Sequence, residues 1–292
     1  MIAAIGFAAD KTKIFTRSDG KRLVDLLFNL ILPITIIHTF LNMERTPEHI
    51  KGLGVAFALA FLTHLLGIGI SALSFRKKDR MIRGIYHYAI TFSNAAFLAL
   101  PLAESVVGEE GVFYSSCYVA VFNVFAFTYG IHEISGGKAK INPKNLILNP
   151  GSISVIIGIP LFLLQVHLPD VINSTMSRVA ACNSPMAMIV FGTFFANCNF
   201  KNIFVKKEIF YVSFVRLLLV PAVMLCVFRL LDVPESMKVA LTVSASAPVA
   251  TNTAMYAAKY DNDTALPSEI VGQTSVLGII TMPVIVALAS VL

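Results

Sequence analysis

The sequence predicts an all-α integral membrane protein of about ten transmembrane helices, arranged as two halves of inverted topology. Three observations support this fold class: 56% of the 292 residues are hydrophobic, only 14% are charged, and the apolar residues are grouped in runs. Soluble domains average about 45–50% apolar and about 25% charged residues, and one this apolar would expose large patches to water. The length suits roughly ten spans of about 20 residues joined by short loops.

The apolar runs follow one another at short intervals along the chain. The first occupies residues 1–9, which is too short to cross a bilayer as a helix, so we expect either a short first helix or a natural start upstream. No basic residues precede this run, which argues against a signal peptide. The other runs occupy residues 23–41, 52–75, 82–107, 111–131, 146–166, 179–196, 209–231, 237–258 and 268–292.

Charged residues alternate between the loops. The loops after the odd-numbered runs, up to the seventh, are basic, whereas the others are sparse or acidic, as at Glu104, Glu109 and Glu110. Because basic loops tend to stay in the cytoplasm, we predict that both termini face outside. The net charge of +6 then reflects topology and gives no reason to expect a nucleic acid partner. The basic residues of these odd-numbered loops are Lys11, Lys13, Arg17, Lys21, Arg22, Arg76, Lys77, Lys78, Arg80, Arg83, Lys138, Lys140, Lys144, Lys201, Lys206 and Lys207.

Matching features divide the runs into two sets. The second run contains L-P-I-T-I-I-H-T-F around Pro33, and the seventh contains S-P-M-A-M-I-V-F-G-T-F around Pro185. The fourth contains S-N-A-A-F-L-A-L-P-L and the ninth S-A-S-A-P-V-A-T-N-T-A. Matching runs lie an odd number of spans apart, so we predict inverted repeats over residues 1–137 and 138–292. Interrupted helices in matching positions of such repeats indicate the site of a secondary transporter.

The fourth run combines Asn94 with Pro101 at membrane depth. Proline removes a backbone donor and interrupts the helix, and a half-helix N-terminus offers free N–H groups and a positive dipole end to a carboxylate. Asn94 would add an amide donor. The alternative is an ordinary proline kink with a packing asparagine.

The ninth run has Pro248, Thr251 and Asn252 near its centre. Its other hydroxyl residues could bond within their own helix or favour tight helix packing; they are Ser244, Ser246 and Thr253. Two interrupted helices in symmetric positions favour a shared crossing site over two independent kinks. At the start of the sixth run, Asn149 and the proline after it predict a helix N-cap, which could still face a cavity.

A few ionisable residues lie inside the runs. Arg216, about nine residues into the eighth run, is a functional candidate because intramembrane arginines are rare. It could balance a carboxylate, pair with an acid or snorkel to the surface. Asp25, His38 and His64 could carry protons, although a lone histidine is more often a packed polar residue.

Signatures of enzymes and metal sites are missing from the sequence. It contains no HExxH, GxSxG or Walker motif and no metal-ligand spacing of Cys and His. We therefore expect neither an enzyme nor a bound metal or cofactor, and leave proton and sodium open as coupling ions. We interpret the cysteines as small buried hydrophobic residues; they are Cys117, Cys182, Cys198 and Cys226.

Three segments resemble the auxin efflux carrier family. They are S-N-A-A-F-L-A-L-P-L-A-E-S-V-V-G-E-E-G (93–111), L-N-P-G-S-I-S-V-I-I-G-I-P (148–160), and A-P-V-A-T-N-T-A-M-Y-A-A-K-Y (247–260) with T-M-P at 281–283. The motif order agrees over nearly the whole chain. The family includes plant PIN-type auxin carriers and bacterial permeases proposed for malate and similar dicarboxylates, and it resembles bile-acid sodium symporters in its broken-helix plan.

The resemblance implies a specific architecture. Helices 1, 2, 6 and 7 would form a scaffold domain and helices 3–5 and 8–10 a transport domain, with helices 4 and 9 crossing at their prolines. It implies a substrate carboxylate near Asn94 and Asn149, an elevator-like movement and a homodimer. Ala96 and Ala99 stand where the family often has glycine, which would narrow the crossing. The short loop between helices 5 and 6 favours a bacterial-type permease over a plant carrier.

Together these arguments predict a secondary carrier of organic monocarboxylates or dicarboxylates in the plasma membrane. Its predicted substrate-binding residues are Asn94, Pro101, Asn149, Pro248, Thr251 and Asn252. Two alternatives stay open: a sodium-coupled carrier of the bile-acid symporter type, and a transporter-like sensor that binds ligand without moving it.

Overall fold

The computed structural model describes residues 2–15, 17–139, 144, 147–196, 206–263 and 265–291. Cys198, Lys140 and Lys201, named above, lie outside these ranges. The described part is helical. Between helices, the backbone at Ser93 pairs with that at Val249 as a short antiparallel bridge. The helices are α1 (Ile2–Lys11), α2 (17–42), α3 (Pro47–Leu73), α4 (Arg80–Thr91), α5 (Ala95–Val107), α6 (Glu109–Ile134), α7 (Pro150–Leu164), α8 (Asp170–Ala180), α9 (Asn183–Ala196), α10 (Lys207–Leu230), α11 (Glu235–Ser246), α12 (Asn252–Lys259) and α13 (Ala265–Val291).

The described helices follow the order of the apolar runs, but the fourth and ninth runs each form two helices and α8 lies between the sixth and seventh runs. Five are long and apolar enough to cross a membrane, namely α2 from Arg22 onward, α3, α6, α10 and α13, and α5 and α7 are shorter apolar helices. The first helix, α1, has 10 residues, or about 15 Å at 1.5 Å per residue. These features indicate a multi-pass membrane protein, as predicted.

The fourth and ninth runs are both interrupted, as predicted, and each forms two half-helices. The break in the ninth run contains Pro248, between α11 and α12. The break in the fourth run lies at residues 92–94, so the prediction that Pro101 breaks the helix was wrong. Pro101 lies inside α5, directly after a π-helical turn at Ala95–Ala99. This wider turn accommodates a residue that lacks a donor and crowds the preceding carbonyls.

A π-helical turn also precedes two other prolines. A π-helical turn at Leu27–Ile31 precedes Pro33 in α2, and another at Val215–Leu219 precedes Pro221 in α10. In each case the helix continues past the proline. The helices are therefore continuous at these prolines, whereas the fourth and ninth runs are interrupted elsewhere.

Packing divides the helices into two groups in contact. In the first group, α1 lies against α9, and a Cβ on Gly6 or Gly192 would overlap the backbone of the other helix. Such close approach is typical of small residues at membrane helix interfaces. The first group also contains α2, α7 and α8. In the second, α6 is the most buried long span and lies among α3, α5 and α11, while α13 covers α11 from the other side.

Candidate functional site

The two breaks meet at the centre of the structure. Ser93 pairs with Val249 in an antiparallel bridge; the Asn94 amide donates to the Pro248 carbonyl at 2.7 Å, and the Ala250 amide donates to the Phe92 carbonyl at 3.0 Å. The chain is buried throughout residues 84–95 and 239–250. Backbone groups freed by a break need partners where water is excluded, and here the two breaks supply partners to each other.

The crossing has two chemically opposite faces. The half-helices α4 and α11 end there and present C-terminal carbonyls with the negative ends of their dipoles, whereas α5 and α12 begin there and present N-terminal amides with the positive ends. We define the carbonyl face by the carbonyls of Ile90, Thr91, Ala245 and Ala247. We define the amide face by the backbone amides of Ala96 and Phe97 and the side chains of Asn94 and Thr251.

The amide face borders a small cavity. Asn94 from the first half and Thr251 from the second both line it, and its volume is about 50 Å³, enough for about one or two water molecules. Apolar side chains of α2, α5 and α9 complete the lining: Val24, Leu27, Phe97, Leu98, Ala187, Val190 and Phe191. The site therefore lies between the two helix groups.

Several donors of the amide face have no partner in the part of the chain that the structure describes. The Asn94 side chain makes no hydrogen bond there, although Asn94 heads the half-helix. The backbone amides of Ala96 and Phe97 also find no acceptor, whereas those of Leu98 and Ala99 donate to the Asn94 carbonyl. Unpaired donors at a positive helix end, beside a cavity, suit an anionic ligand.

A larger apolar cavity adjoins the first. Its volume is about 420 Å³, and it shares Leu98 and Phe191 with the small cavity. Its walls come from α1, α9, α5, α13 and Pro248 of the ninth-run break. Gly278 of α13 allows this proline to approach, because a Cβ there would lie 2.8 Å from the proline Cγ.

The other predicted pocket residues have partners elsewhere. The Asn149 side chain accepts from the Gly151 amide at 3.0 Å and from Asn123 Nδ2 of α6 at 3.1 Å. The predicted N-cap is thus confirmed, and Asn149 lines neither cavity. The Asn252 side chain accepts from the Tyr88 hydroxyl at 3.2 Å, which joins α12 to α4. The Pro101 carbonyl accepts from the Ser184 hydroxyl of α9 at 3.3 Å.

Three hydroxyl residues of the ninth run donate hydrogen bonds within their own segments. Ser244 donates to Ala240 at 3.0 Å, Ser246 to Val243 at 3.3 Å, and Thr253 to Ala250 at 2.6 Å. This is the packing alternative that the sequence left open. Asn94, Pro248 and Thr251 therefore remain as the predicted residues that the fold brings together.

Arg216 lies on the carbonyl face. Its side chain is fully buried, so it does not snorkel to the surface. The guanidinium donates from Nη2 to Ala245 at 2.7 Å and from Nε to Ala247 at 3.3 Å, and from Nη1 to Ile90 and Thr91, both at 3.4 Å. None of the ion pairs found within the described ranges involves Arg216.

The candidate proton carriers lie away from the cavities. Asp25 is exposed and His38 half-buried, and neither lines a cavity. His64 is buried among aromatic rings, stacked on Phe125 with ring centroids 5.4 Å apart. Its Nδ1 lies 2.8 Å from the Ala60 carbonyl. A search of the described residues finds no cluster suited to a metal ion.

Sequence reasoning missed the residues that complete the crossing. The apolar lining from α2 and α9 carries no local signal, although the matching runs around Pro33 and Pro185 mark these two helices. Thr274 of α13 was also missed; its hydroxyl accepts from the Val249 amide at 3.2 Å. The adjacent polar residues Gln273 and Thr274 inside an apolar run were a visible signal.

Comparisons with known proteins identify the family. A family model described as a membrane transport protein matches residues 1–145 and 139–286. A search of curated proteins finds no match. The family matches cover nearly the whole chain and include both breaks and the residues between them. The chain therefore belongs to the auxin efflux carrier family of membrane transport proteins, a family of transporters and not of enzymes.

Proposed function

We propose that this protein is a secondary carrier that moves small organic anions across the plasma membrane by alternating access. The expected substrates are malate-like dicarboxylates or auxin-like monocarboxylates. The single observation that carries the proposal is the amide face, where the Asn94 side chain and two backbone amides have no partner within the described ranges and where Asn94 and Phe97 line a cavity. An elevator-like movement and a homodimer are parts of the same proposal.

The chemistry of the amide face favours a carboxylate. A hydrogen bond to a charged group contributes about 1.5–3 kcal/mol, whereas a buried donor without a partner is costly. A carboxylate has two oxygens and can accept from several donors at once. The positive end of the α5 dipole adds a favourable term for negative charge. A neutral ligand would gain the hydrogen bonds without the charge term.

The position of the cavity supports alternating access. One wall is formed by α2 and α9 and the other by residues at and after the two breaks. A volume of about 50 Å³ admits a carboxylate group but not a whole dicarboxylate. Binding would therefore require one helix group to shift relative to the other, which is the movement that exposes a midplane site alternately to each side.

The binding experiment starts from the purified protein and a panel of organic acids. A ligand that prefers the folded state raises the melting temperature. Once an acid is found, Asn94→Ala should weaken its binding by at least about tenfold, since a charge-assisted hydrogen bond is lost. Asn42→Ala, at the exposed end of α2, is the matched control and should bind normally. Equal affinities for wild type and Asn94→Ala would refute the proposed pocket.

A counterflow experiment in proteoliposomes separates carrier from sensor. A carrier loaded with the unlabelled acid accumulates labelled acid from outside, whereas a sensor binds the acid without exchange. Repeating the measurement with sodium replaced by choline tests the sodium-coupled alternative. We expect exchange in both salts; binding without exchange would instead favour the sensor.

A further inference from the structure

Arg216 is the largest fully buried side chain of the described part and lies where both first half-helices end. Its guanidinium bonds four carbonyls, two from the end of α4 and two from the end of α11 and the residue after it. These carbonyls are among the acceptors that a helix end leaves without partners. A single side chain thus completes the C-terminal ends of both broken helices.

The four carbonyl oxygens that accept hydrogen bonds from Arg216 are of the kind that coordinates an alkali cation. Backbone carbonyls at unwound helix ends coordinate the coupling Na⁺ in transporters with broken helices, and rings of carbonyls replace the hydration shell of permeating cations. At the carbonyl face, these oxygens already face a unit positive charge. Because the guanidinium is covalently attached to α10, this charge cannot leave as an ion can.

We propose that Arg216 is a built-in cation of the crossing, which takes the place of a bound coupling ion and makes the carrier independent of sodium. The charge of the guanidinium offsets the negative ends of the α4 and α11 dipoles and moves with the crossing. Arg216 is thus a positioning residue that holds both breaks in place and does not touch the substrate. Sodium independence of transport rests on the proposed carrier function, but the occupancy of the carbonyl face does not.

The stability of the wild-type protein tests this without any substrate. Melting temperatures are measured in NaCl, KCl and choline chloride at about 0.15 M. A cation that bound only the folded protein would raise the melting temperature in proportion to its occupancy. We expect the three values to agree within about 1 °C. Selective stabilisation of the wild type by sodium would overturn the proposal, whether or not the protein transports organic acids.

Variants at Arg216 provide a second test of the same proposal. Arg216→Met keeps the length but removes the charge and leaves four carbonyls unpaired, so its melting temperature should fall by on the order of 10 °C. Lys207→Met removes an exposed cation from the first residue of the same helix and should differ little from wild type. A melting temperature of Arg216→Met equal to that of Lys207→Met would contradict the proposal.

Chemical rescue distinguishes a cation site from simple packing. In Arg216→Ala, which leaves room at the carbonyl face, millimolar methylguanidinium or added sodium should raise the melting temperature by several degrees, and neither should do so in wild type. Arg216→Lys, which keeps a charge, should lie between wild type and Arg216→Met. If the uncharged variants do not fold, Arg216→Lys and the wild-type salt series still decide. Absence of rescue in a folded Arg216→Ala protein would exclude the cation role.

Discussion

The two faces of the crossing arise from the same breaks but differ in how completely their polar groups are paired. On the carbonyl face, four backbone oxygens accept hydrogen bonds from Arg216. On the amide face, the Asn94 side chain and the amides of Ala96 and Phe97 have no partner among the residues described. The protein thus completes one face with its own side chain, whereas polar groups of the other face stay open to the proposed ligand.

This difference agrees with what the proposed carrier must do. A group that binds and releases a substrate in each cycle cannot have a permanent partner, since binding must be favourable enough to enter yet weak enough to leave. A group that only holds the broken helices together benefits from a permanent partner. We therefore expect changes on the amide face to alter binding, and changes to the groups that hold the broken helices together to alter stability.

The strongest way to break this comparison is to place a negative charge on the amide face. Asn94→Asp would put a carboxylate beside the bound anion, and two like charges about 4 Å apart repel by about 4 kcal/mol at an effective dielectric constant of 20. Affinity for an acid ligand should fall on the order of a thousandfold, as measured by equilibrium binding to the purified protein.

The same variant should leave stability nearly unchanged, because the Asn94 side chain has no hydrogen bond to lose within the described part. A melting temperature close to that of wild type is therefore the control for correct folding. Retained affinity in a folded Asn94→Asp protein would show that the anion binds elsewhere.

A second substitution tests a contact that holds the broken ninth run in place. Gly278→Ala would place a Cβ 2.8 Å from the rigid ring of Pro248, and overpacking typically costs about 1–3 kcal/mol. The melting temperature should fall by several degrees. Gly54→Ala on α3 is the matched control, because a Cβ there meets nothing within 4 Å, and alanine is the better helix former. Equal stability of the two variants would show that the Pro248 contact does not constrain the crossing.

The sequence predicted those parts of this arrangement that depend on local chemistry. The interruption of the ninth run at Pro248 and the Asn149 cap both follow from residue types that act on their own or neighbouring turns. Pro101 was misjudged because a π-helical turn before it absorbs the missing donor. Whether a proline breaks or only widens a helix depends on the neighbouring packing, which one run does not reveal.

The partners of Arg216 and Asn252 could not be predicted, because each depends on helices far apart in the chain. Arg216 in α10 reaches carbonyls of both α4 and α11, so its position exists only when three helices meet. Asn252 looked equivalent to Thr251 in the sequence, yet Tyr88 of α4 engages its side chain. Which polar residue stays free for a ligand is thus decided by tertiary contacts.

The smallest expected effect compares two asparagines that the sequence treated alike. Asn149→Ala removes the α7 cap and should destabilise the protein by about 1 kcal/mol, seen as a small drop in melting temperature with unchanged affinity for an acid. Asn149→Asp keeps the accepting oxygen that serves Gly151 and Asn123 and suits the positive helix end, so it should match wild-type stability. Asp at position 149 should preserve both stability and affinity, whereas Asp at position 94 should preserve stability and lose affinity, so the pair separates capping from binding. A marked loss of affinity in Asn149→Ala would instead extend the amide face to α7.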